Sequence, residues 1–148
     1  MNSYSFWLKW LFVVGVVICV FGIVMAFFNG TVLFRPFDSQ INPVFWGDEN
    51  VDSTIKEYQQ WIMGVLGATM ASWGILVLFI AHYPFRRKER WSWNCLMLGL
   101  LIWFLIDSSI SLYFRVYFNA IFNSALFVLV ILPLVFTRKQ FAQMSGLE

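Results

Sequence analysis

Asp107 is the one acid inside an apolar run of this 148-residue chain, lying between Trp103-Phe104-Leu105-Ile106 and Ser108-Ser109-Ile110. An ionised carboxylate in such a setting needs donors or a cation beside it, because nothing else offsets its desolvation. If the chain turns back around Tyr113 to Val116, Asn123 meets Asp107 at a matching depth on the next helix, with Asn119 one turn above it on the same face. Arg115 is then close enough to compensate the charge, and Ser111 lies one turn beyond Asp107. Thr69 and Ser72, on one face of an earlier apolar segment, are placed to close the same cluster. The candidate ligand-binding set is therefore Asp107, Ser111, Arg115, Asn119, Asn123, Thr69 and Ser72. Its chemistry suits an ion, a lipid headgroup or a small polar ligand. Two other outcomes stay open. A turn starting at Asp107-Ser108-Ser109 would make the aspartate a water-facing turn residue or helix N-cap. An Asp–Asn–Arg clasp could also join two helices and bind nothing.

No other constellation points to catalysis. The sequence holds no G-x-S-x-G, Walker, H-E-x-x-H or CxxC motif, so no enzyme, metal site or cofactor is expected. His82 is the single histidine and precedes Pro84 by two residues, a setting for a solvated helix end. Cys19 and Cys95 fall at depths that differ by roughly 13 Å on a helical rise, too far for a disulfide, and are expected to pack as small apolar groups. Asn29-Gly30-Thr31 matches a glycosylation acceptor but abuts an apolar run and is read as a helix stop.

The elements that must hold these residues are dictated by composition. The chain is 60% hydrophobic and 12% charged, with a mean hydropathy of +0.72, and so few charges cannot clothe a soluble globule of this size. An all-α membrane protein follows, a four-helix transmembrane bundle in a single domain over 1–148, with spans at about 6–28, 61–82, 91–112 and 116–136. The first run is too long for the apolar region of a signal peptide and lacks a cleavage site after it, so it is read as a span. Trp91 to Phe136 would make one helix of roughly 69 Å, twice the hydrocarbon thickness, so it must contain two spans with a turn between Ser108 and Tyr117. Residues 29–60 hold Pro36, an Asn42-Pro43 turn signal and Gly47, and are read as a long outward loop. Within it, Thr54-Ile55-Lys56-Glu57 fits a capping box that starts a helix leading into the second span. Phe34, Phe37, Phe45 and Trp46 suit a segment on the headgroups or folded over the bundle mouth.

Charge sets the orientation. Lys9, Arg86, Arg87, Lys88, Arg90, Arg138 and Lys139, seven of the ten basic residues, fall on one side of four crossings, whereas Arg35, Lys56 and Arg115 fall on the other with the loop acids Asp38, Asp48, Glu49, Asp52 and Glu57. Basic residues next to a span are retained in the cytoplasm, so both termini are expected there. The basic turn at 82–90 is read as a topological anchor among lipid headgroups, with no nucleic-acid partner. Gly64, Gly67, Ala68, Ala71, Ser72 and Gly74 form a small-residue strip that lets a neighbouring helix approach closely, either within the chain or from another copy or a partner subunit.

The stretch Ala81-His82-Tyr83-Pro84-Phe85-Arg86-Arg87-Lys88-Glu89-Arg90-Trp91-Ser92-Trp93 belongs with Trp103-Phe104-x-x-Asp107-x-x-x-Ser111 and with Leu132-Pro133-Leu134 followed by Thr137-Arg138. Together they resemble a group of small prokaryotic four-span membrane proteins. The resemblance covers most of the chain and implies the bundle and a prokaryotic inner membrane. No activity is assigned to that group, so it contributes no site residue. The function expected is that of an accessory or binding protein, contacting membrane lipid or a small amphipathic ligand through the outer cluster. The alternative is a transporter or channel protomer using Asp107 as a proton- or cation-coupling site.

Overall fold

A computed structural model describes residues 3–142, whose regular structure is entirely helical. The chain runs through α1 (Ser3–Phe28), a 3-10 turn at Val32–Phe34, α2 (Arg35–Trp46), α3 (Ser53–Ile80) continued by a π turn at Ala81–Phe85, α4 (Arg90–Tyr113) and α5 (Tyr117–Ala142). Four of these, α1, α3 with its π turn, α4 and α5, are long and apolar enough to cross a membrane. Large apolar side chains such as Phe27, Leu98, Leu105 and Ile121 face outward around the bundle.

Residues 29–60 are not the open loop expected. Pro36 lies in the first turn of α2, where a missing N–H costs nothing, and Gly47 closes the helix in the left-handed region at φ 73°, donating to the Pro43 carbonyl at 3.1 Å. Pro43 sits close enough to the end of α2 that it deprives only the Ser39 carbonyl of an intrahelical donor. The cap of α3 also differs from expectation. The Asp52 carboxylate accepts the Ile55 N–H at 2.9 Å, so the helix starts at Ser53 and Thr54 lies inside it. Asn42, buried on α2, accepts from Gln59 Nε2 at 2.6 Å and donates to the Glu49 carbonyl at 2.9 Å, which pins α2 across the start of α3.

Gly67, Ala71 and Gly74 of the small-residue strip pack against α1, whereas Ala68 and Ser72 are exposed. A Cβ added at Gly67 would lie 2.5 Å from the Ala26 nitrogen, one at Gly74 2.4 Å from the Cys19 nitrogen, and one at Gly22 2.3 Å from the Ala71 nitrogen. The backbones of α1 and α3 therefore touch along this seam, and only glycine fits there. Cys19 is part of the seam, whereas Cys95 is exposed, and both are free thiols. Helix α4 packs along α5, and α1 also packs against α5. The resulting core includes Leu11, Ile18, Val77, Ala81, Phe85, Leu100, Val130 and Leu134.

Side-chain donors serve the carbonyls that the helices themselves leave over. Pro133 has no N–H to give the Leu129 carbonyl, and Trp10 Nε1 donates to that oxygen at 3.0 Å from α1. Arg90 caps the end of α5 by donating from Nε to the Phe141 carbonyl at 3.1 Å and from Nη2 to that of Ala142 at 3.3 Å. Tyr4, Phe85 and Phe141 meet ring to ring beside this cap, and the Tyr4 hydroxyl donates to the Phe85 carbonyl. The basic turn thus gathers at one end of the bundle with the start of α1 and the end of α5, and α2 with the segment joining it to α3 lies at the other.

Trp10→Phe strands the Leu129 carbonyl and is expected to cost about 1–3 kcal/mol. Pro133→Ala restores an intrahelical donor, so the same change made in that background is expected to be near neutral. Thermal unfolding in detergent across the double-mutant cycle measures the coupling.

Candidate functional site

Helix α4 continues through Asp107 to Tyr113, so the aspartate is neither a turn residue nor an N-cap. The turn falls at 114–116, closed by the Val116 N–H on the Ser111 carbonyl at 2.8 Å. This reversal returns α5 antiparallel beside α4, with Asn119 and Asn123 one turn apart on the face towards Asp107. Asn119 Nδ2 donates to Asp107 Oδ1 at 2.9 Å, Asn123 Nδ2 donates to the same oxygen at 2.8 Å, and Ser111 Oγ reaches it at 3.2 Å. Asn119 Nδ2 also donates to Ser111 Oγ at 2.8 Å, which closes a ring of three side chains on one carboxylate oxygen. Ser111 Oγ in turn contacts the Asp107 carbonyl at 2.8 Å. Four of the seven candidate residues are therefore assembled, and hydrogen bonds to a charged group are worth about 1.5–3 kcal/mol each.

The other three candidates stand apart from this ring. Arg115 does not compensate Asp107: it occupies the left-handed region at φ 61°, is exposed, and forms no ion pair with the carboxylate. Thr69 faces the same cavity as Asp107, but its hydroxyl donates to the Val65 carbonyl at 3.0 Å within its own helix. Ser72 is exposed and does not border that cavity, because a step of three residues from Thr69 carries it round α3.

The cavity itself has a volume of about 610 Å³, within the usual range of roughly 300–1,000 Å³ for small-molecule sites. Its walls come from α1, α3, α4 and α5. Consecutive α3 and α4 form no close backbone seam, and they are bridged by Trp73 and Trp103, whose rings are 5.5 Å apart. Leu66 on α3 and Gly99 and Ile110 on α4 border the cavity yet are exposed, so it is open sideways between these helices. Helix α2 roofs it: Phe37 packs on Phe118 at 5.1 Å and on Phe122 at 5.7 Å, and Phe45 on Phe114 at 5.9 Å. The aromatic residues of 34–46 are thus folded over the bundle, one of the two placements their composition allowed. The polar face of α2 borders a second cavity of about 740 Å³, lined by Arg35, Asp38, Glu49 and Lys56 among others, with Met63 common to both. Burial raises the Asp38 carboxyl above the ordinary range there, and the nearby Lys56 charge opposes the rise.

Trp73, Met70 and Gly99 are not marked by the sequence, and Trp103 only as part of a resemblance, because an aromatic or a glycine in an apolar span looks the same whether it faces lipid or a cavity. The signal that could have found the roof is the pairing of Pro36 with Gly47, which bounds a helix. His82 is exposed, with its ring 4.7 Å from that of Tyr83, and no group of three metal-ligating side chains occurs among the described residues. Neither protein-family models, nor curated sequences, nor solved structures give a match to this chain.

Asn123→Ala removes one of three donors from Asp107 and is expected to lower stability by about 1.5–3 kcal/mol, read as a lower melting temperature in detergent. Arg115→Gly relieves a left-handed residue and removes no partner of the carboxylate. It is expected to leave the melting temperature unchanged or raised, whereas a drop like that of Asn123→Ala would restore Arg115 to the site.

Proposed function

We propose that this chain is a non-enzymatic, multi-pass protein of a prokaryotic inner membrane that binds the apolar body of an amphiphile, a lipid or a smaller molecule, in the cavity between α3 and α4. The observation that carries this is a sideways-open, largely apolar cavity with a single polar patch, the ring around Asp107, in its wall. A molecule partitioned into the bilayer reaches such an opening without crossing water. Membrane embedding is supported by the four long apolar helices and the outward-facing apolar side chains. The basic end of the bundle, with the start of α1 and the end of α5, is assigned to the cytoplasm, and α2 to the outer face.

Gly99 provides the test. A Cβ there meets nothing within 4 Å, yet the residue borders the cavity, so the side chain of Gly99→Leu starts in open space and narrows the site. Native mass spectrometry of the gently solubilised protein is expected to show a co-purifying amphiphile whose occupancy falls several-fold in Gly99→Leu at an unchanged melting temperature. Wild-type protein that neither carries nor takes up an amphiphile would rule the proposal out. Flux into liposomes that disappears in Asp107→Asn would move the assignment to a transport protomer.

A further inference from the structure

Resting on the cavity reading above, the geometry points to a ligand class: the amphiphile carries an ammonium, which is held at Asp107. Three features of the patch support this. First, all three donors converge on Asp107 Oδ1, and Oδ2 accepts no hydrogen bond among the described residues. The amide oxygens of Asn119 and Asn123 accept none either among the described residues, because both side chains turn their Nδ2 towards Asp107 and Ser111. None of these three oxygens is sealed inside the protein, and all three residues border the cavity. What remains available at the patch is a set of acceptors, and an ammonium brings up to three N–H donors.

Second, Asp107 is the one charged side chain among the described residues that line the cavity, with no Arg, Lys or His among them. A carboxylate or phosphate drawn into this space would meet a like charge in a low-dielectric wall, whereas a cation meets its counter-ion. Third, the walls around the patch are aromatic, with Trp73, Trp103, Phe37, Phe45 and Phe114 among them. Ring faces attract cations, and the same rings pack against an alkyl body. An anionic amphiphile gains the packing but neither electrostatic contribution.

The ammonium could belong to a lipid headgroup such as phosphatidylethanolamine or to a free lipophilic amine. Binding of dodecylammonium, dodecanoate and dodecanol to the full-length protein in phosphatidylcholine nanodiscs, corrected against empty discs, separates headgroup from chain. Dodecylammonium is expected to bind at least about tenfold tighter than dodecanoate, a tenfold step being the size of one charge-assisted contact. Asp107→Asn is expected to remove that preference, and dodecanol binding that persists in the variant shows that it is folded. Gly99→Leu is expected to weaken all three alike.

Equal affinity for the cation and the anion, or a preference that survives Asp107→Asn, overturns the ammonium assignment. If Gly99→Leu still weakens all three in that case, the cavity itself stands. No binding of any of the three, or indifference to Gly99→Leu, overturns both. Repeating the titration in discs containing phosphatidylethanolamine identifies the source, with competition marking the lipid headgroup and its absence a free amine.

Discussion

The convergence of Asn119, Asn123 and Ser111 on one oxygen of Asp107 is the constraint on which the α4–α5 half of the molecule depends. A carboxylate placed six residues before the end of an apolar helix loses its water, and only fixed donors at hydrogen-bond distance replace what is lost. Those donors come from two helices, so satisfying the charge sets the register of α5 on α4. The network is a closed ring in which Asn119 serves both the carboxylate and the serine. Only one carboxylate oxygen is engaged, which leaves the same group able to hold two helices together and to face a cavity.

The cavity follows from how the other helices pack. Glycines 22, 67 and 74 bring α1 and α3 into backbone contact, closer than any pair of side-chain-bearing surfaces allows. Helix α3 is thereby committed to α1, and α4 to α5. The two pairs are joined through α1 against α5, where Trp10 serves the carbonyl that Pro133 leaves without a donor. No comparable seam draws α3 against α4. The space between them is spanned by Trp73 and Trp103 and roofed by the aromatic face of α2, which Asn42 fastens to α3.

Much of this was legible in the residues. Four helices long enough to span a membrane, the gathering of most basic residues at one end and the pairing of Asp107 with Asn119 and Asn123 follow from run lengths, charge placement and helical spacing, all local quantities. Arg115 was misplaced because the hand of a reversal is not visible when no glycine or proline marks it. Residues 35–46 were misjudged as loop because Pro43 reads as a breaker, although a proline in the closing turns of a helix frees only one carbonyl. Thr69 and Ser72 were grouped by spacing alone, and a hydroxyl in an apolar helix satisfies itself on its own backbone before reaching a neighbour.

The amino-acid sequence by itself determined the four long apolar helices and the need of Asp107 for polar neighbours, because hydrophobicity, helical period and desolvation act on residues close in the chain. The tertiary structure alone decided which helix receives the glycine strip, which carboxylate oxygen is left over and where the packing stays open. Those depend on competition among helix faces for partners, and no single stretch of chain records its outcome.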